Sequence, residues 1–193
     1  AGVHALGQCA NFFLEKNFTE YQILNGINFH LGKEIIKIIK VDKVGDKFNA
    51  RFTAKLKTYH YQIHNSISPA VLQDEISVQI RQNLDISAMK EAIQYFVGNH
   101  NFSSFRARGC QAKTPIRSIN MTNIEQDGKT IIFIFQAQSF LYQQIRIMVG
   151  SLLEIGLNQK KPAWIKELIS YKNRRFAGPT VPAKGLILKD ILY

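Results

Sequence analysis

Two β-prone segments joined by Asp127-Gly128 constrain the fold of this chain more than any other feature. Residues 116–126 and 129–138 flank this dipeptide, and the second segment is dominated by Ile and Phe. Asp-Gly favours a type I′ turn, because both residues adopt positive φ at low cost. A turn this short joins only antiparallel strands. The sequence therefore predicts a β-hairpin within a largely antiparallel sheet.

Helical periodicity, with residues suited to start or end a helix, occurs in four other segments. Thr19 and Ser87 are typical N-cap residues, Gly32 is typical of a helix end, and Pro162 suits a first turn. The predicted helices run from Thr19 to Leu31, from Ser87 to Val97, from Ser139 to about Ile155, and onward from Pro162.

Further strands are predicted from the β-branched and alternating segments. They fall within Val3 to Phe13, Glu34 to Val44, Thr58 to Ile67 and Leu186 to Tyr193, and Gly45-Asp46-Lys47 is predicted to turn. The apolar residues change parity near Lys57, which predicts a β-bulge or a loop there. Strands and helices interleave, so we predict an α+β fold with helices on one face of the sheet.

The charge of the chain indicates a polyanionic partner. Lys and Arg number 25 against 14 Asp and Glu, a net charge of +11. The excess is concentrated in residues 101–193, and the ranges 92–124 and 168–189 contain no carboxylate. Cations near aromatic rings suit phosphate contacts and base stacking, so nucleic acid is the favoured partner. A solvated basic face is the alternative interpretation of either range.

Several other classes of protein are excluded or disfavoured. Two cysteines, Cys9 and Cys110, are too few for a disulfide scaffold or a cysteine-based zinc cluster, and each is interpreted as a small buried residue. His60 and His64 lie on a predicted strand without a nearby third ligand, which argues against a metal site. No run of about 20 apolar residues suggests a membrane span, and no phosphate-binding glycine loop occurs.

Arg146 and Tyr59 each leave two interpretations open. Arg146 lies at the border of the apolar stripe of its predicted helix, where it either extends to water or forms a half-buried pair with a carboxylate. Tyr59 alternates with Tyr61 and Ile63 on one strand face, and is either a core residue or part of a site.

Seven short motifs in order carry a resemblance to a known family. They are residues 1–8 (AGVHALGQ), 48–54 (FNARFTA), 59–61 (YHY), 101–105 (NFSSF), 115–117 (PIR), 140–146 with 149–151 (FLYQQIR, VGS) and 182–186 (PAKGL). Each motif alone is weak. Together they resemble the tRNA pseudouridine synthase A family over essentially the whole chain.

The resemblance implies a cytoplasmic isomerase that converts uridine to pseudouridine in the anticodon stem-loop of tRNA, without a cofactor. It also implies a homodimer of subunits built from two ferredoxin-like α+β units. Residues 1–46 would then be the remainder of an N-terminal domain, which is incomplete here, and residues 47–193 the C-terminal domain.

The resemblance further implies roles for individual residues. The family's nucleophilic Asp directly precedes the motif that opens here at Ala1, so we expect this chain alone to be inactive. Arg146 would keep that Asp ionised, Tyr59 would stack on the flipped uracil and handle the C5 proton, and Leu186 and His4 would contact the substrate. Lys57 stands where the family usually has Arg. The predicted RNA contacts are Arg51, Lys57, Arg106, Arg108, Lys113 and Arg117.

Two alternatives to the isomerase differ in chemistry. A non-catalytic basic RNA-binding α+β module would use the same surface, and would be favoured if the residue before Ala1 were not Asp. A metal-dependent hydrolase built on His60 and His64 would lose activity on chelation.

Overall fold

The computed structural model describes residues 2–71 and 73–193, which form two compact units. The larger unit contains residues 2–8 and Ala54–Tyr193, and the smaller one is Cys9–Thr53. The described residues contain four α-helices and a mostly antiparallel seven-stranded sheet, which confirms the α+β prediction. None of these helices is long and apolar enough to cross a membrane.

The sheet belongs to the larger unit and has the order β1-β7-β2-β6-β5-β4, with β3 beside β2. The pairs β1–β7 and β2–β3 are parallel, and all other pairs are antiparallel. The strands are β1 (His4–Ala5), β2 (Leu56–Asn65), β3 (Val78–Ile80), β4 (Gly98–Asn101), β5 (Ile116–Asp127), β6 (Thr130–Ala137) and β7 (Leu186–Leu192).

The predicted hairpin is present as β5 and β6, but its turn differs from the prediction. Asp127 pairs with Thr130, so Gly128 and Lys129 form the two-residue loop. Gly128 has φ +55°, and neither flanking residue has positive φ. Positive φ at the first loop position alone is typical of a type II′ turn. The type I′ prediction was wrong because Asp127 remains in the strand.

A bulge, one of the two irregularities predicted near Lys57, is present there, but its extra residue lies on β7 and not on β2. The register between β2 and β7 shifts between Thr58 and Tyr59. From there Tyr59, Tyr61 and Ile63 share one face, and the last two are fully buried. Thr58 pairs with Asp190 and Tyr59 with Leu188, so the extra residue is Lys189 of β7, opposite the start of the YHY motif.

The four helices are α1 (Glu20–Leu31), α2 (Ile86–Gln94), α3 (Gln144–Gly156) and α4 (Trp164–Tyr171). The ends of α1 confirm the prediction, because Thr19 forms a capping box with Gln22 and Gly32 is the C-cap. The cap of α2 was predicted wrongly. The Asp85 carboxylate, rather than Ser87, accepts the Ala88 N–H at 2.9 Å.

Helix α3 begins five residues later than Ser139, where the sequence predicted its start. Gln143 adopts a left-handed conformation with φ +59°, which interrupts the helix before Gln144. The Oε1 atom of Gln144 accepts the N–H of Leu141 at 2.7 Å, so the preceding turn is held by a side chain.

Two strand predictions were wrong. Residues 34–44 form no strand in the structure, and only His4–Ala5 is a strand within Val3 to Phe13. An extended segment becomes a strand only when a neighbour satisfies its backbone hydrogen bonds, and no described strand pairs with residues 34–44. Ile35 is 99% exposed, so its β-propensity is not supported by side-chain packing. The predicted turn at Gly45 is present, closed by the Phe48 N–H at 2.9 Å.

The core lies between the sheet and helices α2 and α3. Met89 and Ile93 of α2 are fully buried, and the Thr122 hydroxyl of β5 donates to the Ile93 carbonyl at 3.0 Å. A Cβ at Gly156 would lie 2.6 Å from the Met89 sulfur, so α2 and α3 are in close contact. Most of the α3 side chains are buried, which fixes the direction of this helix under the sheet.

The loop that follows α4 packs directly on α3. A Cβ at Gly150 would lie 1.8 Å from the Pro179 carbonyl oxygen, and one at Gly178 would lie 2.7 Å from the Gly150 carbonyl carbon. The Ser151 hydroxyl accepts the Gly178 N–H at 3.0 Å and donates to Ile147. The VGS motif therefore supplies a glycine that lets this loop approach the helix backbone and a serine hydroxyl that binds it.

We predict that Gly150→Ala destabilises the protein by about 1–3 kcal/mol or more, because a methyl group there overlaps the Pro179 carbonyl. Helix propensity alone would favour Ala by about 1 kcal/mol, so a loss must come from the contact. Urea unfolding measures the change, and Gly7→Ala, whose Cβ meets nothing within 4 Å, is the control. Equal stability of the two variants would contradict the packing argument.

Candidate active site

The segment Val181–Leu186, which follows the loop packed on α3, is the centre of the candidate site. The Arg146 Nε donates to the Val181 carbonyl at 2.7 Å, and the Val181 N–H returns to the Arg146 carbonyl at 3.4 Å. Arg146 is half-buried. Its guanidinium is therefore held at the segment by one hydrogen bond, and a backbone hydrogen bond joins the same two residues, so the side chain does not extend freely into water.

The second anchor of this segment is Tyr61 of β2. Its hydroxyl donates to the Pro182 carbonyl at 2.8 Å, and a Cβ at Gly185 would lie 2.8 Å from its ring. Burial raises the pKa of Tyr61 strongly, while the positive charge of Arg146 opposes the rise. The charge of the Arg146 guanidinium therefore acts directly on the Tyr61 phenol.

The opening motif forms the third neighbour of the Val181–Leu186 segment. His4 of β1 pairs with Ile187 of β7, and a Cβ at Gly2 would lie 3.4 Å from the Cβ of Ala183. The His4 Nε2 is also hydrogen-bonded to the Glu75 carbonyl at 2.8 Å. The first and last motifs are thus adjacent in space, although Ala1 lies outside the described residues.

Tyr59 lies half-buried two residues before Tyr61 on the same face of β2. Its ring meets Phe140 edge to face, with centroids 5.5 Å apart, and it pairs with Leu188 of β7. Burial raises the pKa of Tyr59, so the phenol stays protonated at neutral pH. Leu186 is buried and pairs with Tyr61.

Arg146 makes no ion pair among the residues the structure describes. The two salt bridges found there are Lys40–Asp42 and Lys184–Asp74, at 2.9 and 3.0 Å. A half-buried guanidinium favours a nearby anion, because low solvent exposure strengthens charge attraction. This site is therefore suited to a carboxylate.

Two of the predicted RNA contacts hold their own loop together. The Arg106 Nη2 donates to the carbonyls of Cys110 and Ala112 at 2.8 and 2.7 Å. The Arg117 Nη1 donates to the carbonyls of Thr114 and Ile116 at 3.0 and 2.6 Å. These guanidiniums satisfy backbone groups of residues 110–116.

The other predicted RNA contacts are distributed over both units. Arg108 and Lys113 are exposed on the loop that Arg106 and Arg117 hold. Lys57 lies half-buried on β2. Arg51 belongs to the smaller unit, where its guanidinium stacks over the Phe52 ring at 5.4 Å.

The histidines and cysteines have other surroundings. His60 has a lowered pKa because of burial and the charge of Lys189, partly offset by Glu125. No group of three or more His, Cys, Asp or Glu able to hold a metal is found in residues 2–71 and 73–193. Both cysteines are half-buried, and the Cys110 sulfur accepts the Tyr142 N–H at 3.4 Å.

Sequence reasoning missed the residues that join the site. Val181 and Pro182 contribute backbone carbonyls, for which no side-chain pattern is diagnostic. Gly150 does carry a signal, because a glycine within a strongly apolar helix often marks close backbone contact. Gln144 is buried among the α3 residues, and its Nε2 has no hydrogen-bond partner within residues 2–71 and 73–193.

Comparison with known proteins identifies relatives along the whole chain. Residues 92–193 match the family described as tRNA pseudouridine synthase. The tRNA pseudouridine synthase A of Ehrlichia chaffeensis is 45% identical over 193 residues, which cover 100% of this chain and 79% of that protein. Proteins of the same name from Wolbachia pipientis subsp. Culex pipiens and Neorickettsia sennetsu are 43% and 40% identical, with 100% of this chain and 78% and 79% of theirs covered.

We predict that Tyr61→Phe lowers the free energy of unfolding by about 1–3 kcal/mol at neutral pH, because the Pro182 carbonyl loses its donor. The raised pKa of Tyr61 makes this stabilisation complete below pH 10 and weaker as the pH rises through the ordinary tyrosine range. Urea unfolding at several pH values measures the difference, which should shrink above pH 10. Tyr142→Phe, at a 56% exposed position, is the control and should change little.

Proposed function

This chain belongs to the tRNA pseudouridine synthase A family, and on that premise we propose that it acts on uridines of the anticodon stem-loop. The enzyme is an isomerase. The bond between C1′ and N1 breaks, the uracil turns, and C1′ joins C5. The C5 proton leaves and N1 gains one, so no atoms are gained or lost. Similar bonds are broken and made, and the reaction needs no cofactor.

One observation supports the site assignment above all others. Within the Val181–Leu186 segment, Val181 contacts Arg146 and Pro182 contacts Tyr61 of β2. Ala183 lies next to Gly2 of the opening motif. In our proposal Tyr59 stacks on the flipped uracil and handles the C5 proton. Leu186 packs the pocket, and His4 lies near the substrate. Flipping costs a few kcal/mol, which stacking partly returns.

The nucleophile in this proposal is the family's Asp, directly ahead of Ala1. A carboxylate in a dry pocket has a raised pKa, which a neighbouring guanidinium opposes. Arg146 is suited to this, because its side chain is fixed at Val181 near the opening motif. None of the 14 carboxylates in the sequence matches the position of the Asp, so we expect a polypeptide of these 193 residues alone to be inactive.

RNA binding in our proposal uses two groups of cations, one that contacts phosphates and one that shapes a loop. Arg108, Lys113, Lys57 and Arg51 contact phosphates directly. Arg106 and Arg117 act by shaping the loop that presents the first two, because their guanidiniums already donate to backbone carbonyls. Binding should then weaken steeply with salt.

The remaining parts of the proposal rest on family membership. We propose that residues 1–46 derive from an N-terminal domain and residues 47–193 form the C-terminal one. We also propose a homodimer that acts in the cytoplasm.

Tritium release from tRNA labelled at C5 of uridine tests the function in the full-length protein. We predict that Arg146→Ala lowers turnover by about 10²–10³-fold, since it removes the cation that stabilises the carboxylate. tRNA affinity should stay within about tenfold (~1.4 kcal/mol). No release by the wild-type protein would overturn the isomerase assignment on this substrate.

Arg146→Lys, in the same assay, distinguishes the effect of the positive charge from that of the guanidinium's hydrogen bond. Loss of the cation in Arg146→Ala raises the pKa of the nucleophile, so the acid limb of its pH–rate profile should move to higher pH. The Lys variant keeps a positive charge and should move less. Identical profiles of the wild-type and Ala proteins would contradict the pairing.

We predict that Tyr59→Phe retains tRNA binding but loses turnover, because the ring still stacks while the hydroxyl that handles the proton is gone. Single-turnover tritium release measures the effect. Tyr142→Phe is the matched control, since its side chain is 56% exposed outside the β2 face. Wild-type rates in Tyr59→Phe would exclude the hydroxyl from proton transfer.

A further inference from the structure

A cleft separate from the candidate active site lies in the larger unit, between the end of α3, helix α4 and the turn that follows α4. Its volume is about 890 Å³, in the range of small-molecule sites. The part of the sequence that forms it includes the first half of the carboxylate-free range 168–189, to which the proposed reaction assigns no role. The lining residues are Glu154, Gln159, Lys160, Lys161, Ala163, Trp164, Glu167, Tyr171, Arg175, Phe176 and Ala177.

Three aromatic side chains line this cleft. The rings of Tyr171 and Phe176 lie 5.2 Å apart, and both side chains are about half exposed. The Lys160 ammonium lies 5.2 Å from the centre of the Trp164 ring. Exposed rings that lie side by side in a cleft give a planar base a surface on which to stack.

The cations of the cleft are available to a ligand. Lys160, Lys161 and Arg175 are exposed, and none of them forms a salt bridge among the described residues. The neighbouring Arg174 is different, because its guanidinium donates to the Ala177 carbonyl and the Thr180 hydroxyl, both at 3.1 Å. Burial also lowers the pKa of Arg174. Arg174 therefore stabilises the turn, whereas the exposed Arg175 side chain forms no salt bridge among the described residues.

Two carboxylates limit the kinds of ligand that fit. Glu154 and Glu167 also line the cleft, and Glu167 accepts the Tyr171 hydroxyl at 3.3 Å. A compact anion such as free phosphate would meet these charges. An extended ligand with an aromatic base and a separate phosphate can place its anion near the cations and its N–H groups near the carboxylates.

We propose that this cleft binds a nucleotide of the tRNA other than the target uridine. The base stacks on Phe176 and Tyr171, and the flanking phosphates contact Lys160, Lys161 and Arg175. This inference rests on the proposed function for its RNA substrate, and adds a second contact to the same molecule. Its effect is on tRNA affinity and not on the chemical step.

The test compares two triple variants of the full-length protein that remove the same charges. K160Q/K161Q/R175Q changes the cleft, and R81Q/K90Q/K129Q changes three exposed cations of the same unit that do not line it. The cleft variant should bind tRNA at least about tenfold more weakly and reduce the salt slope by about two. The control variant should change affinity much less, and tritium release at saturating tRNA should be unchanged in both.

The single tryptophan of the sequence gives a direct signal, because Trp164 lines the cleft. tRNA should change Trp164 fluorescence, and Phe176→Ala should weaken tRNA binding most at high salt, where stacking dominates. Equal losses of affinity in the two triple variants, or tRNA saturation without a change in Trp164 fluorescence, would overturn the proposal. Absence of tritium release from the wild-type protein would instead contradict the proposed function. The tRNA affinities of the two triple variants would then still decide whether the cleft binds tRNA.

Discussion

The close approach of the loop at Gly178-Pro179 to the backbone of α3 is the contact on which the candidate site depends. With any larger residue at Gly150, the Pro179 carbonyl would overlap a side chain. Because the loop lies so close, the next residues reach Arg146, and the Val181 carbonyl accepts its Nε. The Pro182 carbonyl then accepts the Tyr61 hydroxyl. Backbone packing thus brings the Val181–Leu186 segment to Arg146 and Tyr61.

Electrostatics of the site follows from this packing. Burial keeps the phenols of Tyr59 and Tyr61 protonated, so the strand contributes neutral hydrogen-bonding groups. Arg146 is a half-buried cation whose charge acts on Tyr61. A carboxylate introduced there would be desolvated, which disfavours its charge, and would face a fixed guanidinium, which favours it. The balance of these two effects is what an ionised nucleophile in a closed pocket requires.

Local signals in the sequence predicted local structure well. Asp127-Gly128 predicted the hairpin, and Thr19 and Gly32 predicted both ends of α1. The parity change near Lys57 predicted a bulge or loop, and the register shift between β2 and β7 lies there, with its extra residue on β7. Predictions were wrong where the outcome depended on distant partners. Residues 34–44 have strand propensity but no neighbouring strand, and Ser139 precedes a turn held by Gln144.

The site itself was only partly accessible to sequence reasoning. Arg146 and Tyr59 could be singled out through motifs and periodicity. The carbonyls of Val181 and Pro182 could not, because any residue supplies one. The same reasoning treated Arg106 and Arg117 as free cations, whereas their own loop uses their donors. A charged side chain shows its partner only when the backbone around it is known.

The parallel pairing of β1 with β7 has a consequence for folding. His4 and Ile187 are neighbours in space but distant in sequence, so their contact closes a very long loop. Loop-closure entropy and high contact order make such a contact slow to form. The β5–β6 hairpin can form early, whereas the opening motif joins the Val181–Leu186 segment late. Refolding should therefore form the hairpin before the opening motif pairs with β7.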